Sequence, residues 1–279
     1  MTSIAPPTTF SELSLKASFL SDSSSPRSQA LHLGACIGIL CGKLSMAPDD
    51  PVRSQEMANI PPTCENEPFW SSPSSERDDI YKAIGDIFLS LFIFANTCGI
   101  DLRESILKKM QLNARKYPVH LCKGKSGKYT EYSQQTGIDR DNQSTLDISI
   151  EDEETNSDEH CSESPKSVVT SSSNNTETVS DIMKKIREFA IERNWSRYHT
   201  PRNICLAMLG EAGECAELFQ WMGDDVKVEK GHGLVSYGWK EEDIDHVQQE
   251  LADVSIYALR LADVVGIRDL GVYALSCLK

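Results

Sequence analysis

Residues 206–222 read LAMLGEAGECAELFQWM and residues 247–259 read VQQELADVSIYAL, and the fold turns on these two stretches. In the first, Glu211, Glu214 and Glu217 recur at every third position. On a 3.6-residue helix that spacing keeps the carboxylates on one broad flank, beside an apolar line of Leu206, Leu209, Gly213 and Ala216. In the second, Glu250 and Asp253 stand at i,i+3, with Tyr257 four residues further along the same side. Two solvated acidic faces are the plainest reading of such runs. Solvated helices, however, interleave Lys or Arg three or four residues away, because like charges at that spacing destabilise a helix. Neither Lys nor Arg occurs between Ile204 and Val226, or between Glu241 and Ala258. Acids set against an apolar stripe persist when a counter-cation neutralises them, and carboxylate oxygens suit a hard divalent ion, Mg²⁺ or Mn²⁺. The pattern predicts two helices that share a metal site.

Extended outward, the stretches become HTPRNICLAMLGEAGECAELFQW (199–221) and GWKEEDIDHVQQELADVSIY (238–257). They carry Glu-x-x-Glu at 214–217 and Glu-x-x-Asp at 250–253, flanked by His-x-Pro-Arg-Asn and Glu-Leu-x-Asp-Val-x-x-Tyr. One Glu-x-x-Glu is common, but the ordered pair with both flanks resembles the all-α nucleoside-triphosphate pyrophosphohydrolases (MazG-like). The resemblance implies a Mg²⁺-dependent split of a nucleoside triphosphate, dCTP or a related deoxynucleotide, into monophosphate and pyrophosphate. It implies metal ligands at Glu214, Glu217, Glu250 and Asp253, with Glu211 orienting or deprotonating the attacking water. His199, Asn203, Trp221, Trp239 and Tyr257 are implied in substrate binding, although a lone His or Trp is more often structural.

At 279 residues the chain can bury one or two ordinary domains. A net charge of −14 argues against nucleic acid or an anionic membrane surface as partner. The nine cysteines are odd in number, scattered and without a Cys-x-x-Cys pair, so they read as reduced thiols of a cytoplasmic protein. Cys36, Cys98, Cys205 and Cys215 are expected as core fillers. The apolar run Ile84–Ile100 contains Asp86 and Asn96, which favours a buried bundle helix over a membrane span.

The chain also resembles itself. A shift of 175 positions brings Ser25-Pro26-Arg27 onto Thr200-Pro201-Arg202, Leu31 onto Leu206 and Gly38 onto Gly213. A shift of 167 brings Asp86 onto Asp253, Ala95 onto Ala262 and Gly99-Ile100 onto Gly266-Ile267. Two divergent copies of one helical unit account for this. The first has Cys36, Ile39, Gly42 and Ala83 where the second has Glu211, Glu214, Glu217 and Glu250, so it reads as a scaffold without a metal site. It continues as DLRESILKKMQLNARKYP, similar to the segment that closes on the substrate's phosphates in the resembled family; Lys109, Asn113 and Arg115 are the matching residues. A solvated basic helix end is the alternative reading of that segment. Residues 123–179 are acidic and rich in Ser, Thr and Asn, a composition that cannot bury a core.

The expected organisation is therefore two four-helix-type units, 1–124 and 179–279, joined by a disordered acidic linker at 125–178. The expected assembly is a homo-oligomer or a pseudo-dimer within one chain. The competing expectation is a weak or inactive paralogue that binds nucleotide or regulates a partner, since the second copy stops soon after DLGVYALSCLK begins.

Overall fold

Helix starts follow the oxygen-bearing side chains that precede them. In the computed structural model, Thr9, Ser25 and Ser74 accept backbone N–H bonds at the starts of α1 (Phe10–Ser18), α2 (Pro26–Met46) and α3 (Ser75–Cys98). Asp101 does the same for α4 (Leu102–Lys116), which a single turn, α5 (Val119–Cys122), follows. Thr178 and Asp181 form a reciprocal capping box on α6 (Val179–Glu192), and Thr200 caps α7 (Pro201–Phe219). A 3₁₀ turn at Gly233–Tyr237 leads to α8 (Glu241–Val264), whose first turn carries three acids that suit the helix dipole. Asp269 caps the last helix, α9 (Leu270–Ser276). Pro26 and Pro201 occupy first helical positions, where the missing N–H costs nothing.

The structure describes residues 6–20, 25–49, 70, 74–125, 177–221 and 233–278. Among them no strand occurs; one isolated antiparallel bridge joins Thr9 to Thr178. The all-α expectation holds. The acidic segment expected as a linker at 125–178 lies, apart from its ends, outside the described residues.

α3 is the axis of the bundle. It buries Ile84, Ile87, Phe88, Leu91, Phe92 and Phe94, and it stops at Gly99, which takes a left-handed φ of 71° as its C-cap. The run expected as a bundle helix is thus the core helix. α8 buries Val247, Leu251, Val254, Ala258 and Leu261 in the same hydrophobic core. Helices from 1–124 and from 179–279 fall into one compact unit, formed by Met1–Ser126 and Thr176–Lys279. The halves therefore share a core.

Polar ties cross between them. The Tyr81 hydroxyl donates to the Val265 carbonyl at 2.5 Å, and Thr8 N–H donates to Asp269 at 2.9 Å. Arg202, in the first turn of α7, donates to the carbonyls of Leu44 and Ala47 at the end of α2. Those carbonyls have no partner within their own helix, so Arg202 caps α2 from the other half.

Two expectations need correcting. α7 does not bury Leu206, which is 65% exposed, nor Leu209 or Gly213; its inner face is Ile204, Cys205, Met208, Ala212, Cys215 and Phe219. Both lines are apolar and helically spaced, so periodicity cannot choose between them. The choice is made where α7 meets α2 and α8. Likewise Cys98, Cys205 and Cys215 are buried as expected, whereas Cys36 is only half-buried.

Gly85 marks a close helix approach. A Cβ there would stand 2.8 Å from the Tyr273 backbone of α9, whereas a Cβ at Gly38 on α2 meets nothing within 4 Å. Gly85→Ala should therefore destabilise by about 1–3 kcal/mol through overpacking. Gly38→Ala should stabilise by up to about 1 kcal/mol through helix propensity. Urea unfolding of both variants checks the contrast, and equal shifts would contradict the α3–α9 contact.

Candidate metal centre

The carboxylate centre forms where α7 and α8 face each other. One oxygen each of Glu211, Glu250 and Asp253 lies within 4.8 Å of the other two, and all three side chains are partly buried. Glu250 Oε2 is buried with no hydrogen-bond partner. A buried carboxylate oxygen without a donor is costly, and a cation satisfies it. Burial raises all three carboxyls. Glu211 is pushed up to about 7, by burial first and then by Asp253, Glu214 and Glu250. Glu250 is raised by burial and by Asp253, and Asp253 by burial, with Lys109 opposing both shifts. Three oxygen donors of raised pKa around an orphaned oxygen fit a hard divalent cation.

α4 brings the counter-charge. Lys109 Nζ lies 2.6 Å from Asp253 Oδ2 and 3.4 Å from Gln249 Oε1, with the Lys109 and Asp253 side chains each 15% exposed. The preceding residue, Lys108, pairs with Asp245 at 2.6 Å. The basic helix expected to close on phosphates thus lies along the acidic α8. Its C-terminal continuation is clamped to the second half. Buried Arg193 donates to the Tyr117 carbonyl at 2.8 Å, the Trp195 indole to the Cys122 carbonyl at 3.3 Å, and the Tyr198 hydroxyl to the Gly124 carbonyl at 2.8 Å. Tyr117 thereby meets Trp195 edge-on at 5.3 Å, and Trp195 lies 6.2 Å from His199.

The remaining sequence-predicted residues divide. Glu214 is exposed, yet its charge acts on Glu211, Glu250 and Asp253, so it borders the centre. Glu217 is exposed and outside the three-carboxylate group. A three-residue spacing drifts by about 60° per step on an α-helix, so the run cannot aim all its acids at one point. Tyr257 is raised by burial and by Glu211 and Asp253, which places it beside the centre. His199 accepts a hydrogen bond from Arg260, and the exposed Asn203 donates to the Tyr198 carbonyl at 3.0 Å. Trp239 packs on Phe219, which meets Phe94 of the core; Trp221 is 90% exposed. Asn113 is half-buried and Arg115 exposed. In the first half, Asp86 joins no group of ligating side chains among the described residues.

Sequence reasoning passed over Gln249, Arg260 and Tyr117. Arg260 had a signal, because it continues the 250–253–257 face of α8 by a further three residues. Tyr117 had none, since only the folded chain brings it to Trp195.

Fold and site together define an all-α bundle whose carboxylate centre spans two helices and takes its cation from a third. This chain is 46% identical to human dCTP pyrophosphatase 1 over 85 residues, which are 30% of this chain and 46% of that protein. It is 45% identical to the rat protein of the same name and 44% to the bovine one, over equal lengths. The chain thus spans about half the length of the curated relatives it matches. No family model matches the chain, and no solved structure does.

The Glu211 shift carries a stability consequence. Its carboxyl binds a proton in the folded chain up to about 7, against 4.5 for the unshifted group, so raising pH across that window removes stability. Without metal, Glu211→Gln should unfold at a higher temperature than the parent at pH 8, and the difference should close below pH 4.5. A variant less stable than the parent at pH 8 would show that the carboxylate is not repelled there.

Proposed function

We propose that this protein is a metal-dependent nucleoside-triphosphate pyrophosphohydrolase acting on dCTP or a related deoxynucleotide. The carrying observation is the cluster of Glu211, Glu250 and Asp253, with an orphaned Glu250 oxygen and the Lys109 ammonium beside it. The similarity to dCTP pyrophosphatase 1 supports the substrate class. Glu250 and Asp253, with Glu214 at the border of the group, would hold Mg²⁺ or Mn²⁺. When bound, the ion offsets triphosphate charge and polarises the α-phosphorus.

The chain's own groups carry the rest. Glu211, the third carboxylate of the group, would accept a proton from the attacking water. Lys109 sits where it can turn from Asp253 to a phosphate oxygen, with Lys116 near enough for its charge to act on Asp253. Tyr117, Trp195, His199 and Tyr257 form the wall on which a base can rest. Water displaces pyrophosphate from the α-phosphorus and leaves the monophosphate. In this reading residues 1–124 and 179–279 are two copies of one unit, the first without ligands, joined into a pseudo-dimer by the 125–178 segment. The first supplies Lys109, and the second supplies the carboxylates.

Calorimetric titration with Mn²⁺ should show binding that survives Asp86→Ala and disappears in Glu250→Ala. With Mg²⁺ and dCTP, Lys109→Ala should retain metal binding and lose about 10²-fold or more in kcat/KM, the scale of a lost charge contact in the transition state. Metal binding without pyrophosphate release by the unaltered protein would favour a nucleotide-binding paralogue instead.

A further inference from the structure

The His199 ring lies at the far end of the aromatic wall that begins at the carboxylates. Glu211 and Asp253 act on Tyr257, as does Tyr117, which meets Trp195 edge-on, and Trp195 in turn meets His199. Behind the ring stands Arg260 of α8. It is 6% exposed, and its Nε donates to His199 Nδ1 at 2.9 Å. Its Nη1 donates to Asp263 Oδ2 at 2.5 Å, while Arg187 of α6 holds the other oxygen of Asp263 through its Nε at 2.6 Å. Asp263 is thus shared by two guanidinium groups, and the orientation of Arg260 is set from behind. Arg260 is the charge in contact with the ring, Asp263 and Arg187 stand beyond it, and no carboxylate among the described residues bonds the imidazole.

A guanidinium has donors, no acceptor, and does not deprotonate in a protein. The Arg260–His199 contact therefore has one polarity, with Nδ1 presenting its lone pair. Burial and the Arg260 charge also lower His199 to about 3, so the ring is neutral at ordinary pH. A neutral imidazole whose Nδ1 is a lone pair carries its one proton on Nε2.

We propose that Arg260 is a positioning residue that holds His199 as the neutral Nε2–H tautomer, so that His199 serves as a fixed hydrogen-bond donor and not as a general base. Resting on the nucleotide reading above, this donor matches an uncharged acceptor on the base, such as a ring carbonyl, and gives no charge attraction to a phosphate. Acid–base work is left to Glu211.

The test uses the full chain with ring-¹⁵N histidine and long-range ¹H–¹⁵N correlation spectra from pH 5 to 8, without nucleotide or metal. The His199 signals are those missing from His199→Gln. An unprotonated Nδ1 and a protonated Nε2, unchanged across that range, are expected. A ring that titrates near 6.5, or one protonated on Nδ1, overturns the proposal from the unaltered protein alone, whatever becomes of Arg260 variants. In Arg260→Lys, which keeps the charge and loses the planar fork, both tautomers should appear. For turnover, His199→Gln restores an N–H near the Nε2 position and should recover part of the KM that His199→Leu loses. His199→Leu should raise KM by about tenfold, the value of one uncharged hydrogen bond, with kcat little changed. A pH–rate limb present in the parent and absent from His199→Gln would overturn the donor role. Failure of the parent to release pyrophosphate would overturn the nucleotide reading and leave the spectra, read without substrate, to decide the tautomer.

Discussion

Three carboxylates held within 4.8 Å of one another, with one ammonium paired to Asp253, cannot all be comfortably charged. At neutral pH the group carries more negative charge than Lys109 offsets, and burial prevents water from screening the remainder. Burial first, and then that imbalance, raises Glu211 and Glu250; burial raises Asp253 against the pull of Lys109, and one Glu250 oxygen is left without a donor. A chain selected only for stability would place an apolar residue or a second Lys there. The charge is retained on helices whose other faces are packed into the core, so the site is preorganised and cannot relax by moving its acids apart.

Lys109 makes the two halves of the chain interdependent. It belongs to α4, and α4 reaches α8 only because α3 and α8 share a core and because the segment after α4 is tied down at Arg193, Trp195 and Tyr198. The first half has no grouped ligands of its own among the described residues, yet it sets the electrostatics of those in the second.

Arginine is the recurrent cross-connector. Arg202 satisfies the end of α2, Arg193 the end of α4, and Arg260 orients His199. Each takes up main-chain carbonyls or a ring nitrogen at a helix end, positions where a planar multi-donor group does what a lysine cannot. Arg193 and Arg260 are buried, so their hydrogen bonds are worth more than those of surface ion pairs such as Lys184–Glu188.

Much of this molecule is local in origin and could be read from the chain itself. Ser25-Pro26 and Thr200-Pro201 start helices because a hydroxyl oxygen and a fixed proline φ act within one turn, and the acids of α7 and α8 are helical neighbours by spacing alone. Which acids converge is not a local matter. Glu211 faces the centre, Glu214 borders it and Glu217 lies outside it, because the direction of view is set by the crossing of α7 and α8, and a run that drifts about 60° per step spreads its three acids over about 120°. The same holds for the inner face of α7, where two apolar lines compete and packing against α2 and α8 selects Met208 and Ala212 over Leu206 and Leu209. Lys109 and Asp253 are 144 positions apart, and Tyr117 and Trp195 are 78 apart. No periodicity or capping rule extends over such distances, because these pairs exist only through the shared core, and the charge balance and the aromatic wall are therefore tertiary products.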